Sequence, residues 1–279
     1  MKVKFWGVRG SIPVPGPKTS KYGGNTSCVE LNCDEKTIIF DCGSGVRALG
    51  LDIVERDFVE ENGKKELYVF FSHVHWDHIQ GFPFFRPTFE PEYELNIYSS
   101  LHSGVDIESA LRGQMEKPYF PIRLKDMPAK MNFNEIKIGE DIQIGRIEVK
   151  SVSLNHPSGS VGYKIICNNK SVAYITDHEH NERSKQRLVD FLKETNKVIF
   201  DAHYTPEEYS GADGSGGRKG WGHGTWKDAV ELCRAANVDH LILTHHGHED
   251  TEIDKIELLT QKEFPGSIAA YEGLEIDLC

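Results

Sequence analysis

Short apolar runs rich in β-branched and aromatic residues recur along the chain, separated by Gly, Asn and Asp. Runs of this length and composition are typical of β-strands. They predict ten strands, at residues 2–7, 26–33, 37–41, 67–72, 94–98, 146–154, 161–167, 171–176, 197–201 and 239–244. Apolar residues at helical spacing predict helices over 181–194, 225–236 and 251–263, with Thr225 and Thr251 as N-caps. Strands alternating with helices predict a layered α/β fold.

Length and charge narrow the class of protein. The 279 residues suffice for one large domain, and no linker-like stretch interrupts the alternation, so we expect a single domain over residues 1–279. The net charge is -11 and the sequence pI is about 5.6. Nucleic-acid binding usually needs a broad basic face, which this balance does not favour. Local basic patches remain compatible with this acidic charge balance.

Six cysteines are scattered along the chain without the tight spacing of a metal site. We expect them to be reduced and partly buried, with a disulfide framework as the weaker alternative. They are Cys28, Cys33, Cys42, Cys167, Cys233 and Cys279. No apolar run approaches the roughly 20 residues that cross a bilayer, and no signal peptide is visible. These features predict a cytoplasmic protein that does not bind membranes.

A dense group of potential metal ligands follows one of the predicted strands. The apolar run 67–71 leads directly into His73, His75, Asp77 and His78. Alternation along a strand would put the first two histidines on one side, and a following turn would bring the other two residues to a neighbouring point. Imidazole and carboxylate ligands suit Zn²⁺ or Mn²⁺, with Fe as a further option. The segment therefore predicts two divalent ions side by side.

Further candidate ligands follow other predicted strands. Each lies just past an apolar run, where a strand end can present it at the edge of a sheet. They are His156, Asp177 and the neighbours His245 and His246. Adjacent residues on a strand face opposite ways, so only one of the last two is expected in the site, and the sequence favours His245. The role of His203 stays open.

Taken in this order, the motifs resemble the metallo-β-lactamase fold over nearly the whole chain. The resemblance implies a four-layer αββα sandwich with two ions at its loop-bearing edge and Asp41 bracing the metal loop. It assigns His73, His75 and His156 to one ion, Asp77, His78 and His245 to the other, and Asp177 as a bridge between them. Two metal ions bridged in this way activate a hydroxide between them and stabilise the transition state of phosphodiester hydrolysis.

A second pair of residues narrows the branch of the family. Asp201 ends a predicted strand, and His223 lies in a Gly-His-Gly-Thr turn before a helix. Both resemble ribonuclease Z, in which an acid orients a histidine that stabilises the transition state or protonates the leaving oxygen. The chain departs from that pattern by having Asp201 in place of glutamate and Gly224 in place of serine. A structural or helix-capping histidine is the alternative.

The N-terminal turn region resembles a bacterial subgroup related to ribonuclease Z and cyclic-nucleotide phosphodiesterases. Its Asn25 and Ser27 offer hydrogen bonds near the site, and the Arg9 guanidinium would suit a substrate phosphate. A hairpin without ligand contacts is the alternative.

Two later segments bear on substrate binding. The glycine-rich stretch 210–220 is expected to be a mobile flap whose Arg218 and Lys219 meet substrate phosphate, or else a flexible surface loop. The aromatic stretch 80–134 is expected to pack a core or an interface, with base stacking as a second role.

These features predict a metal-dependent phosphoric diester hydrolase whose substrate is a small phosphodiester such as a cyclic nucleotide. The alternatives are endonucleolytic processing of tRNA 3′ ends and hydrolysis of carbonyl esters such as lactones or thioesters. RNA is less favoured because the segment 177–201 contains a helix and no basic arm. A non-catalytic sensor is disfavoured because all seven expected ligands are present. The resemblance leaves a homodimer open.

Overall fold

The apolar runs form two mixed seven-stranded sheets in the computed structural model, which describes residues 1–59 and 65–278. The first sheet contains, in spatial order, β14 (Glu275–Asp277), β1 (Lys2–Gly7), β2 (Cys28–Cys33), β3 (Lys36–Phe40), β4 (Lys65–Phe70), β5 (Tyr93–Ser99) and β6 (Lys130–Glu135). The second contains β13 (Ser267–Ala269), β12 (His240–Thr244), β11 (Lys197–Asp201), β10 (Lys170–Ile175), β9 (Ser160–Cys167), β8 (Ile147–Leu154) and β7 (Ile142–Ile144).

Each sheet has a parallel half that sets where the functional loops emerge. Strands β3 to β6 are parallel in the first sheet, and β10 to β13 are parallel in the second. The carboxyl ends of parallel strands meet at the same edge of a sheet. The loops after β3 and β4 therefore emerge at one edge of the first sheet, and those after β10, β11 and β12 at one edge of the second.

Aromatic side chains fill the space between the two sheets. The ring of Phe40 on β3 stacks on Tyr174 of β10 with 5.0 Å between centroids, and on Tyr163 of β9 at 5.9 Å. Phe70 of β4 meets Tyr163 edge-on at 5.3 Å. All four rings are almost fully buried, so large apolar surfaces fix the two sheets against each other.

Helices cover the outer faces of both sheets. The first sheet carries α1 (Val46–Val59) and α3 (Ile107–Gln114), while the second carries α4 (Glu182–Leu192), α6 (Trp226–Ala235) and α7 (Asp250–Glu263). Two single turns complete the set, α2 (Trp76–Ile79) and α5 (Pro206–Ser210). The predicted four-layer αββα sandwich is confirmed. None of the helices within the described ranges has the length and apolar character needed to cross a bilayer.

The three predicted helices are present with slightly shifted ends. Thr225 caps α6 as predicted, because its side chain accepts a hydrogen bond from the Asp228 amide. The prediction of Thr251 as a cap is wrong. Glu249 is the N-cap residue of α7, and the carboxylate of Asp250, in the first turn, accepts hydrogen bonds from Arg9 and from the Lys21 amide.

Several elements were not predicted as separate units. Helix α1 contains a glycine at its centre, and the strands β6, β7, β13 and β14 are short or largely polar. Their formation depends on pairing with a neighbouring strand or packing on a sheet, which local sequence does not encode.

One cysteine prediction is corrected. Cys33 of β2 and Cys167 of β9 form a disulfide that joins the two sheets. The pair is 134 residues apart in sequence and meets only because the sheets face each other, so spacing gave no signal. The other described cysteines, Cys28, Cys42 and Cys233, are free and buried as expected. Cys279 lies outside the described residues.

The packing of α1 can be tested at its central glycine. A Cβ at Gly50 would lie 2.7 Å from the Arg86 amide nitrogen and 2.8 Å from the Phe85 ring. We expect Gly50→Ala to lower the free energy of unfolding by about 1–3 kcal/mol, because the helix must move away from this backbone. Denaturant unfolding monitored by circular dichroism measures the change.

Gly113→Ala is the matched control. This glycine lies in helix α3 with no atom within 4 Å of the added Cβ. We expect a gain of roughly 0.5–1 kcal/mol from helix propensity alone. Equal effects of the two substitutions would contradict the close approach at Gly50.

Candidate metal centre

Three candidate residues lie one or two positions past strand ends and share an unusual backbone conformation. Asp41 after β3, His245 after β12 and Asp177, two residues past β10, have φ values of 59°, 61° and 53°. Residues other than glycine adopt this left-handed region at a cost and do so mainly where the surrounding structure requires it. Here it turns the side chains across the sheet edge toward a common centre.

The His-x-His-x-Asp-His segment forms a loop and a helical turn. Strand β4 ends at Phe70, so His73 and His75 are already past it, and α2 begins at Trp76. The two histidines are close together as expected, but alternation along a strand is not the reason. They come from the loop between β4 and α2, where their ring centroids are 4.5 Å apart, and α2 presents Asp77 and His78 from its first turn.

The structure brings the predicted ligands together in two groups. His73, His75 and His156 form one group and Asp77, His78 and His245 the other, with the ligand atoms of each group within 4.8 Å of one another. We call these sites A and B. In site B, Asp77 Oδ2 lies 3.2 Å from the Nε2 atoms of both His78 and His245.

Asp177 lies between the two sites. Its Oδ1 is 3.7 Å from His73 Nε2 and 3.6 Å from His156 Nε2, both in site A. Its Oδ2 is 3.1 Å from His78 Nε2 and 3.3 Å from His245 Nε2, both in site B. One carboxylate oxygen thus faces each site, which is the arrangement of a bridging ligand.

The donor set fits a pair of divalent cations. The Nε2 atoms of His73 and His78 are buried without a hydrogen-bond partner, which is costly unless another ligand satisfies them. Burial raises the pKa of Asp77, but the facing His78 and His245 outweigh it and hold that pKa well below its usual range. Ionised carboxylates and imidazole nitrogens directed at two points suit Zn²⁺, Mn²⁺ or Fe²⁺.

Asp41 orients the metal loop from behind. Its carboxylate accepts hydrogen bonds from the Ser72 amide and from the hydroxyls of Ser72 and Tyr174, each at 2.8–2.9 Å. It also lies 2.8 Å from His78 Nδ1, which directs Nε2 of that ring into site B. The contributions of Ser72 and Tyr174 were not predicted, because nothing in the local sequence marks them.

Asp201 and His223 form a buried pair beside both sites. His223 Nδ1 lies 3.0 Å from Asp201 Oδ2, and its ring centroid is 5.2 Å from that of His156 and 5.0 Å from that of His245. Burial lowers the pKa of His223, but the charge and hydrogen bond of Asp201 outweigh it and raise the pKa to about 9. Because Nδ1 faces Asp201, a protonated ring presents Nε2–H as a donor on its other side.

His203 and His102 support this arrangement. His203, left open by the sequence, stacks on the His223 ring at 4.6 Å and places Nδ1 3.0 Å from the carbonyl of His245. His102 had no sequence signal. The centroid of its buried ring lies 6.4 Å from that of His73. Its Nε2 atom lies 3.3 Å from the Ser99 hydroxyl oxygen.

The glycine-rich stretch is tied to site A. The Glu179 carboxylate accepts hydrogen bonds from the amides of Gly220 and Gly222 and from the Tyr209 hydroxyl. The Gly222 carbonyl in turn accepts a 2.8 Å hydrogen bond from His156 Nδ1. The end of this loop therefore helps to orient a candidate metal ligand. Lys219 is exposed to solvent, and Arg218 is half-buried.

Arg9 does not face the site. Its guanidinium is fully buried and donates to the carbonyls of Gly23 and His248 and to the Asp250 carboxylate. With its donors directed at protein acceptors, it holds the N-terminal turn against α7, so the expected phosphate contact is not supported.

Asn25 and Ser27 also make structural contacts within the protein. Asn25 bonds to Glu272 and Ser44, and the carbonyl of the buried Ser27 accepts from the Gly43 amide. These contacts fix the turn region beside the Asp41 loop.

The family follows from comparison of the sequence with known proteins. Residues 36–246, more than half of the chain, match the family model described as the β-lactamase superfamily domain. The chain belongs to this superfamily. It is a hydrolase of the metallo-β-lactamase fold, and its sequence relatives include proteins named ribonuclease Z.

Relatives within the superfamily include two archaeal proteins named ribonuclease Z. The protein from Archaeoglobus fulgidus is 23% identical over 295 residues, which cover 88% of this chain and 86% of the relative. The one from Haloarcula marismortui is 26% identical over 168 residues, but the match spans only 58% of this chain and 46% of that protein.

Solved structures of the superfamily share the fold over the full length. The metallo-β-lactamase fold protein YhfI from Bacillus subtilis superposes with a TM-score of 0.70 at 19% identity, covering 99% of this chain and 98% of that one. A diphosphatase of the PhnP family gives a TM-score of 0.68, also at 19% identity, covering 100% and 98% of the two chains.

The link between the glycine-rich loop and site A can be tested at Gly222. This residue has a φ of 90°, and a Cβ there would lie 2.2 Å from His156 Nδ1. We expect Gly222→Ala to displace His156 and to lower the metal content by about one ion per chain, since site A loses a ligand. Mass spectrometry of the metal content measures this.

Gly220→Ala provides the control, because Gly220 has a similar φ of 84° but no atom within 4 Å of the added Cβ. Backbone strain is therefore matched, and only the contacts with His156 and the adjacent Pro157 differ. Equal loss of metal in both variants would show that strain in the loop, and not His156, is responsible.

Proposed function

We propose that this chain hydrolyses a small phosphodiester, such as a cyclic nucleotide, at a two-ion centre. The observation that carries the proposal is the shared position of Asp177 between two complete ligand groups, with the Asp201 and His223 pair beside them. Bound ions would lower the pKa of a water molecule and neutralise charge on the phosphate. The remaining steps belong to the protein side chains.

His223 is suited to serve as the general acid. Asp201 accepts its Nδ1–H, so the imidazolium presents Nε2–H on the other side of the ring. A proton delivered from there to the leaving oxygen would prevent the build-up of an alkoxide. Asp201 keeps the ring charged and oriented, while His203 limits its movement by stacking on it.

A second candidate is cleavage of RNA at tRNA 3′ ends, which the names of the ribonuclease Z relatives favour. Two observations weigh for a smaller substrate. Between Asp177 and Asp201 the described structure contains helix α4 and short connections, without a projecting arm. The net charge of -11 also provides little attraction for a large polyanion.

A substrate panel tests the proposal. Metal-loaded protein would be assayed by product chromatography on 2′,3′- and 3′,5′-cyclic nucleotides and on a tRNA precursor with a 3′ trailer. We expect turnover of a cyclic nucleotide that is lost in Asp77→Ala, because site B then lacks a ligand. Cleavage of the precursor alone would favour the second candidate, and activity surviving in Asp77→Ala would contradict the two-ion mechanism.

The general acid is tested separately. We expect His223→Ala to lower kcat by about 10²- to 10⁴-fold without loss of metal, because the histidine donates a proton and does not bind an ion. Steady-state kinetics and metal analysis of the same preparation give both quantities. Metal loss in this variant would instead make His223 a ligand.

His203→Gln is a useful companion variant. It retains a polar side chain next to His223 but removes the stacked ring, so a smaller fall in kcat is expected. A fall as large as that of His223→Ala would show that the stacked ring is essential for holding His223 in place.

A further inference from the structure

Two of the four tryptophans in the chain are largely exposed, and both adjoin the metal centre. Trp76 is 78% exposed and Trp221 is 59% exposed, whereas Trp226 is buried and Trp6 is partly buried with its Nε1–H bonded to Glu30. Exposing a large aromatic ring forgoes the free energy of burying it. We call Trp76 and Trp221 the exposed tryptophan pair.

Trp76 lies where the metal centre opens to solvent. Six of the seven candidate ligands have side chains no more than 9% exposed, namely His73, Asp77, His78, His156, Asp177 and His245. His75 is partly exposed, and Trp76 is the next residue in the chain. The exposed ring of Trp76 thus belongs to the residue next to the most exposed candidate ligand.

A short series of contacts brings Trp221 to the same side. His75 Nδ1 lies 3.1 Å from His156 Nε2, and His156 Nδ1 bonds to the carbonyl of Gly222, the neighbour of Trp221. The backbones of both tryptophans thus flank site A. They approach it from different elements, the metal loop and the glycine-rich loop.

The backbone around Trp221 is fixed although its side chain is largely exposed. Glu179 binds the amides of Gly220 and Gly222 on either side, and the Trp221 amide donates to the Arg218 carbonyl at 3.1 Å. Three hydrogen bonds therefore position a ring that has little protein to pack against. This is expected of a side chain whose partner is a ligand.

A cation accompanies the ring. The Arg218 guanidinium lies 5.1 Å from the Trp221 ring centroid, within cation–π distance. In the described ranges of the chain it has no carboxylate at ion-pair distance, since its side-chain bonds go to the carbonyls of Ser215 and Gly217. In a protein of net charge -11, an unpaired cation beside an exposed ring favours a ligand that is both planar and anionic.

We propose that the exposed tryptophan pair forms a subsite for the base of a nucleotide, next to site A. Stacking on an indole ring is available to any base and requires no specific hydrogen bonds. Arg218 contributes attraction for the phosphate. The inference rests on the proposed phosphodiester hydrolysis and deepens it, because it assigns the substrate to nucleotides as a class and makes both tryptophans determinants of specificity.

The test compares ligands with and without a base. Isothermal titration calorimetry on the metal-loaded protein would measure Kd for AMP and for ribose 5-phosphate, which share the phosphate and sugar. Wild-type protein should bind AMP more tightly. Trp221→Ala and Trp76→Ala should each weaken AMP binding by about 10-fold and leave ribose 5-phosphate within about 2-fold. Trp221→Phe, which keeps a planar ring, should retain most of the AMP affinity.

Leu258→Ala is the matched control. Leu258 is an exposed apolar residue on α7, with 60% of its surface accessible, and it lies outside the candidate site. Its removal should change neither Kd. Equal affinity of wild-type protein for the two ligands, or equal weakening of both by the tryptophan substitutions, would overturn the proposal. Thermal unfolding of each variant separates loss of the subsite from loss of the fold.

The binding test is independent of turnover. If AMP binds with the expected dependence on the tryptophans and no phosphodiester is hydrolysed, the proposed function fails and the nucleotide subsite stands. If cyclic nucleotides are hydrolysed and the tryptophan substitutions leave both Kd and KM unchanged, the subsite fails and the hydrolase stands. In the positive case, KM for 2′,3′-cyclic AMP rises in Trp221→Ala while that for glycerol 1,2-cyclic phosphate does not.

Discussion

The buried carboxylate of Asp41 is the contact on which the arrangement of the site depends. It follows β3 of the first sheet, accepts from Ser72 after β4, contacts the metal-loop residue His78, and accepts the hydroxyl of Tyr174 from β10 of the second sheet. A carboxylate buried this deeply is unfavourable unless its oxygens are fully hydrogen-bonded. The requirement to satisfy it therefore fixes the metal loop relative to both sheets at once. The rest of the ligand geometry is built on that fixed point.

The sequence predicted the strands near the site because their apolar runs are long and end in polar residues with recognisable spacing. The helices α4, α6 and α7 were predicted for a related reason, since each has a regular apolar face. What local pattern does not encode is contact between distant segments. The cross-sheet pair Cys33 and Cys167 and the brace formed by Ser72 and Tyr174 depend on sheet packing, so they became visible only in the folded chain.

Arg9 and the glycine-rich stretch illustrate how the chemistry of a residue can be anticipated while its partner is not. A guanidinium beside a dimetal motif suggested a phosphate, yet burial directs Arg9 to carbonyls and to Asp250. Six of the eight residues 210–217 are glycine or serine, which suggested free motion, whereas Glu179 accepts hydrogen bonds from Tyr209 just before this stretch and from Gly220 and Gly222 after it. In both cases a residue distant in sequence decides what the predicted segment does. In the second case, the Gly222 carbonyl just past the glycine-rich stretch also accepts a hydrogen bond from His156.

The division of the ligands between the two sheets has a thermodynamic consequence. His73, His75, Asp77 and His78 follow a strand of the first sheet, while His156, Asp177 and His245 follow strands of the second. Ions held at this edge would bind the docked pair of sheets more tightly than either one separated, and binding to one state of an equilibrium shifts it toward that state. Bound metal would thus act as a cross-link between the two sheets at this edge. Its removal would weaken the contact between the two sheets before either sheet is itself disrupted.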